Sequence, residues 1–119
     1  MRWPVAVPRS TRAGWIGMVR DALHCTHDRP ISLEELAQIA GVNRAHLARV
    51  FKAKLGLSVG QYHRAVRTHR AAQRLSDPRV SIARVAQESG FADQAHLTRV
   101  FREHFGVTPS AYRKCLRRR

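Results

Sequence analysis

Two arginines occupy the same place in a phrase that the chain writes twice: Arg49 in AHLARVF at 45–51 and Arg99 in AHLTRVF at 95–101. A guanidinium is a planar fork of donors that matches guanine O6 and N7 bidentately, and phosphate as well. On a helical wheel of about 100° per residue, Leu47, Val50 and Phe51 centre on one direction. Arg49, Ala45 and Lys52 lie opposite, flanked by His46 and Ala48. In the second copy the outward set is Arg99, Ala95 and Arg102, flanked by His96 and Thr98, with Gln94 opening the phrase. The phrase therefore has two purposes. L··VF holds a helix to its neighbours, and the arginine between them faces away. For one arginine a solvated basic face is the ordinary explanation. Two equivalent arginines, in a chain with 22 Lys+Arg against 8 Asp+Glu and a net charge of +14, imply base reading in double-stranded DNA. His46 and His96 become candidates for contact with base or phosphate.

Other chemistry is weaker. His24, Cys25, His27 and Asp28 are metal-ligand types in close sequence, but their spacing matches no strong motif and they fall at a helix end. A polar, frayed terminus is expected there, and no metal. No paired carboxylates, nucleophile motif or phosphate loop is present, so neither an enzyme nor a cofactor is implied. An anionic membrane surface would want a continuous amphipathic basic helix with bulky apolar residues. No stretch approaches the roughly eighteen apolar residues of a membrane span. The opening MRWPVAVPRSTRAGWIGM lacks the apolar run and cleavage site of a signal peptide. A cytoplasmic location is expected, with Cys25 and Cys115 reduced. Cys115, beside Tyr112 and Leu116, reads as a small buried hydrophobe. A rival class, non-specific binding of RNA or nucleoid DNA, fits the bulk charge. It does not need a matched arginine pair.

The elements that must position these residues follow from extending the repeat. LAQIAGVNRAHLARVFKAKLGLSVGQYHRAVR (36–67) aligns with VAQESGFADQAHLTRVFREHFGVTPSAYRKCLR (85–117), with one extra residue after the Gly-apolar pair of the second copy. Ala37/Ala86, Gln38/Gln87, Gly41/Gly90, Phe51/Phe101, Gly56/Gly106 and Tyr62/Tyr112 coincide. In the first copy Ser32 caps a helix, with Glu35 completing a capping box. Gly41 turns the chain, Asn43 caps the next helix and Gly56 ends it. In the second copy Ser81, Gly90, Asp93 and Gly106 do the same, while Leu97, Val100, Phe101 and Phe105 pack. Short helix, glycine turn and amphipathic second helix make a helix-turn-helix. An opening helix at about 12–26 is expected from Trp15, Ile16, Val19 and Leu23. Ser58 and Gln61 cap a long helix that Asp77-Pro78 stops, and Thr108-Pro109 starts the last. The fold expected is all-α with about seven helices. An arm (1–11) precedes a helix-turn-helix lobe (12–57), a linker helix (58–76), a second lobe (77–116) and a basic tail (117–119). Phe51 and Phe101 belong to the core. His63 and His69, on the linker, are expected at the surface or facing phosphate.

Both copies closely resemble the DNA-binding region of AraC/XylS-type bacterial transcription regulators. The residues that carry this are LAQIAGVNRAHLARVFKAKLGLSVGQY and, above all, VAQESGF, the cap Asp93, RVF and GVTPSAYR. The resemblance spans roughly 15–116. It implies two helix-turn-helix units on successive major-groove segments, with Arg49 and Arg99 matching the family's base-reading arginines. Ala45, Ala48 and Ala95 fall where relatives often carry larger contacting side chains. Thr68 and Arg74 fall where relatives often have Leu, which implies a more exposed linker helix. RNA polymerase becomes a partner if the chain activates. The resemblance fits either a stand-alone regulator or a fragment that lacks an effector domain. Phosphate contacts are expected from Ser32 and Ser81 at helix starts, and from Arg44, Lys52 and Arg102. The terminal RKCLRRR, with Arg113, Lys114 and Arg117, is either a phosphate-binding tail or a solubilising end; the former is favoured. A linker of about seventeen residues spans roughly 25 Å, which makes the ~34 Å turn of DNA attainable by one chain. A monomer on DNA is therefore expected, and Gly-Pro at Ala71-Ala72 is expected to uncouple lobes that each stay folded.

Overall fold

Short polar side chains stand at the expected helix starts, and each accepts a backbone N–H left open by the first turn. The structure, a computed structural model, describes residues 14–117; the arm at 1–11 and tail residues Arg118 and Arg119 lie outside them. Among the described residues there are seven helices and no strand: α1 (Trp15–Cys25), α2 (Leu33–Ala40), α3 (Arg44–Leu55), α4 (Val59–Arg74), α5 (Ile82–Glu88), α6 (Gln94–Phe105) and α7 (Pro109–Arg117). Ser32 accepts from Glu35, Asn43 from Ala45 and His46, Ser81 from Arg84, and Asp93 from His96. At α4 the box is reciprocal: Gln61 N–H donates to Ser58 Oγ at 3.1 Å and Ser58 N–H to Gln61 Oε1 at 2.9 Å. Thr108 Oγ1 accepts from Ala111 N–H at 3.1 Å, with Pro109 in the first position of α7.

The chain divides into two compact units, the first running through Thr26 and Ile31–His63, the second taking His27–Pro30 and everything from Arg64. In the first, α1 buries Ile16, Val19 and Leu23, α2 buries Leu36, and α3 buries Leu47, Phe51 and Leu55. Phe51 meets the Tyr62 ring edge-on at 5.6 Å. The Tyr62 hydroxyl and His24 Nε2 are 2.8 Å apart, so His24 belongs to an ordered pair rather than a frayed terminus. His63 corrects the expectation of an exposed or phosphate-facing ring. It is buried, and its Nε2 donates to the Thr26 carbonyl at 2.9 Å.

The second unit encloses Ala71, Ala72, Leu75, Val85, Ala86, Phe91, Leu97, Val100 and Phe101, with Val80, Ile82, Phe105 and Tyr112 packed against them. Four expectations change here. Ala71 and Ala72 are core residues, so Gly-Pro at these positions breaks this unit instead of merely uncoupling lobes. Thr68 is fully buried rather than exposed; its hydroxyl donates to the Arg64 carbonyl at 2.6 Å, which is how a helix hides a threonine oxygen. His69 is half-buried, its ring 5.2 Å from His104 and 5.5 Å from Phe105. Cys115 is exposed. Pro109, Tyr112 and Leu116 share one face of α7 with Arg113, and position 115 falls beyond its edge. Arg74, by contrast, is exposed as expected and pairs with Glu88 at 2.6 Å.

The second turn is more constrained than the first. Gly41 and Gly90 both adopt left-handed φ, 70° and 81°. A Cβ at Gly41 would meet nothing within 4 Å, whereas one at Gly90 would lie 3.0 Å from Arg67 Cδ and 3.0 Å from the Asp28 carbonyl carbon. Position 90 thus needs glycine for its conformation and for its space.

Candidate nucleic-acid interface

Each helix-turn-helix presents its second helix through the same anchors. Leu47 and Phe51 on α3, and Leu97, Val100 and Phe101 on α6, are buried; Val50 is half-buried. Arg49, Ala45, His46 and Lys52 are exposed, with Ala48 half-buried. On α6, Gln94, Ala95, Arg99 and Arg102 are exposed, with Thr98 and His96 half-buried. The two faces are nevertheless not copies. On α3, Arg49 Nη2 lies 3.2 Å from His46 Nδ1, and the His46 ring sits 6.1 Å from Trp15. On α6, His96 turns back. Its Nδ1 accepts the Ala92 N–H at 3.2 Å and its ring packs 5.3 Å from Phe91. Ala92 is the inserted residue of the second copy, so His96 closes the longer turn and leaves Arg99 without a histidine neighbour of the kind Arg49 has.

The expected phosphate set also divides. Lys52, Arg102, Lys114 and Arg117 are exposed. Arg44 is exposed and pairs with Glu34 at 3.3 Å, a surface pair worth at most about 1 kcal/mol. Ser32 and Ser81 use their oxygens as caps, and Glu34 and Glu35 in the first turn of α2 oppose an anion at Ser32. Arg113 is corrected: its guanidinium donates to the carbonyls of Leu75 at 3.1 Å, Asp77 at 3.2 Å and Val80 at 2.6 Å. It fastens α7 to the α4–α5 connection and is withdrawn from the phosphate set. Among the described residues no group of three or more His, Cys, Asp or Glu is arranged to hold a metal ion, and no helix is long and apolar enough to cross a membrane.

Residues 36–115 match the family described as "Helix-turn-helix domain". The multiple antibiotic resistance protein MarA of Escherichia coli is 36% identical over 86 residues, which cover 72% of this chain and 68% of MarA. The chain belongs to the AraC family of helix-turn-helix transcriptional regulators. Its fold agrees: an AraC-type regulator from Chromobacterium violaceum superposes with a TM-score of 0.81 at 28% identity, covering 86% of this chain and 91% of that one. The DNA-binding domain of AdpA, solved with a target DNA, gives 0.77 at 28% identity over 86% and 92%. As a family of regulators, the AraC type also accounts for the absence of catalytic motifs in the sequence.

This AraC-type chain also makes side-chain contacts around its second helix-turn-helix that the repeat did not single out. Arg67 Nη1 donates to the Gly90 carbonyl at 2.8 Å, and its guanidinium stands 5.6 Å over the Phe91 ring. Burial, then the nearby Arg64 charge, pulls its pKa below the ordinary arginine value. Glu88 bridges Arg84 at 2.8 Å and Arg74 at 2.6 Å, and those hydrogen bonds hold its carboxyl below the usual range. Glu103 is exposed on the α6 face beside Arg99 and Arg102.

Three histidines give a pH dependence with a definite sign. Burial first, and then Arg20 for His24 and His104 for His69, lowers the pKa of His24, His69 and His104 below 6.5. The unfolded chain therefore binds protons at a higher pH than the folded one. Their stabilising contribution is complete above the unfolded value and is lost as pH falls below it through the folded values. Thermal melts from about pH 7.5 to about pH 5 should show a falling midpoint, and His104→Gln should flatten that limb. A midpoint that stays level across this range refutes the account.

Proposed function

We propose that the chain reads two successive major-groove segments of double-stranded DNA, one with α3 and one with α6, and does so as a single chain. The observation that carries this is the pair of equivalent, exposed arginines, Arg49 and Arg99, each on a capped second helix whose opposite face is buried. The AdpA domain, solved with a target DNA, supports DNA as the ligand by likeness. The base-facing groups are Arg49, His46, Ala45 and Ala48 on α3, and Arg99, Gln94, Ala95 and Thr98 on α6. His96 is their second-turn support, and Lys52, Arg44, Arg102, Lys114, Arg117 and the α5 start at Ser81 lie toward phosphates, while Glu34 and Glu35 take the α2 start at Ser32 out of that set. Because the two faces differ, the site is asymmetric. The chain works in the bacterial cytoplasm and, where it activates, contacts RNA polymerase.

Selection from a random DNA pool at a stated salt concentration tests this. A regulator prefers its site by ~10³-fold or more; a non-specific polyanion binder, the rival that the charge alone allows, shows no such preference. On the selected site Arg99→Ala should lose ~1–3 kcal/mol, with little loss on random DNA, because a base contact carries sequence information. Equal weakening on both would reduce Arg99 to an electrostatic contact. The mass of the complex decides stoichiometry: a palindromic site bound only by two chains overturns the single-chain reading.

A further inference from the structure

The outward face of α6 is not uniformly basic. Gln94, Ala95, Thr98, Arg99, Arg102 and Glu103 line a shallow, open depression whose surface is more apolar than polar. Ala95 is exposed in it. The Thr98 hydroxyl donates to the Gln94 carbonyl at 2.9 Å, so its proton is already engaged within the helix and the γ-methyl remains for a ligand. Arg99 and Arg102 supply exposed guanidiniums around these carbons, and Glu103 supplies an exposed carboxylate. A phosphate fits such a shelf badly, since carbon offers it no donor and the Glu103 charge repels it. One apolar group is presented by base edges in the major groove, the C5-methyl of thymine.

We propose that the Ala95–Thr98 shelf is a thymine-methyl subsite, next to the base pair read by Arg99, and that Thr98 is a specificity-determining residue for the α6 half of the site. This rests on the DNA-reading function proposed above and names what one part of that face recognises. Van der Waals contact with the methyl is non-directional, so the shelf distinguishes thymine from cytosine by shape, while Arg99 fixes register through guanine.

Duplexes of the selected site in which one thymine at a time is replaced by deoxyuridine, which removes only the C5-methyl, test the proposal with the full chain. One thymine, beside the guanine whose identity matters to Arg99, should weaken binding about fourfold, the loss expected for one buried methyl. Thr98→Ser keeps the hydroxyl and removes the side-chain methyl; it should bind the thymine and uracil duplexes nearly equally. Thr98→Val keeps a methyl there and should retain the preference. The proposal is overturned if no thymine in that half responds, or if the loss is the same size in Thr98→Ser. Failure of the underlying function looks different, because then no sequence emerges from the pool at all.

Discussion

Phe101→Ala should unfold the second unit, or nearly so. The ring is fully buried, 4.6 Å from Phe105 and 5.4 Å from Tyr112, within the cluster that includes Leu97, Val100 and Ala86. Removing a buried phenyl costs about 3–5 kcal/mol, because the lost transfer energy is joined by the cavity left behind. A whole small domain is stable by only about 5–15 kcal/mol, and this unit is roughly half a chain. Urea titration followed by circular dichroism, with amide exchange over α5–α7, measures the effect. Phe51→Ala should do the same to the first unit, where Phe51 packs on Tyr62. Arg99→Ala is the contrast: an exposed side chain whose removal leaves the melt in place and changes only base discrimination. An unaltered melt for Phe101→Ala would break the assignment of the repeated phrase to a buried side and a reading side.

The helices were legible because their signals are local. A cap acts over three residues and a left-handed glycine over one, so Ser32, Asn43, Asp93, Gly41 and Gly106 could be placed from the chain alone. The burial of Phe51 and Phe101 was legible because the phrase repeats its apolar spacing twice. What escaped depends on partners far away in sequence. His63 looks like a surface ring on a polar helix until the Thr26 carbonyl, 37 positions earlier, stands beside it. Arg113 looks like part of a basic tail, yet its acceptors lie 33 to 38 positions before it. Thr68 was read against a leucine of relatives, and a hydroxyl that bonds back to its own helix fills that buried place as well.

The outward faces of α3 and α6 divide the same way. Its arginines follow from periodicity. The different duties of His46 and His96 do not, since the two residues are identical in the aligned phrase. Only the inserted Ala92, whose N–H needs an acceptor, draws His96 back over its turn. An insertion in one copy of a repeat was therefore the available signal that equivalent residues there would not have equivalent neighbours. Glu103 carries no such signal, since an acidic residue in a strongly basic chain has the pattern of solvated surface.

Ala72→Pro should abolish the α6 half of the interface while sparing the α3 half. Within α4, proline lacks the N–H that helix geometry directs to the Thr68 carbonyl, and its ring collides with that carbonyl, at a cost of ~3 kcal/mol or more. It also pushes Ala71 away from helical backbone angles. Ala71 and Ala72 are 0% and 8% exposed and belong to the core of the second unit, so the distortion falls on the packing that holds α5, α6 and α7. The buried residues of the first unit come from α1, α2, α3 and the start of α4, through His63, and lie outside the altered turn. Amide exchange should therefore lose protection in α5–α7 and keep it in α1–α3, while footprinting on the selected site should shrink to the half read by Arg49. Ala72→Gly, which strains no backbone and costs about 0.5–1 kcal/mol in a helix, should keep both halves. Full protection in α5–α7 of the proline variant, with specific affinity still lost, would return α4 to the role of a spacer between lobes that fold without it.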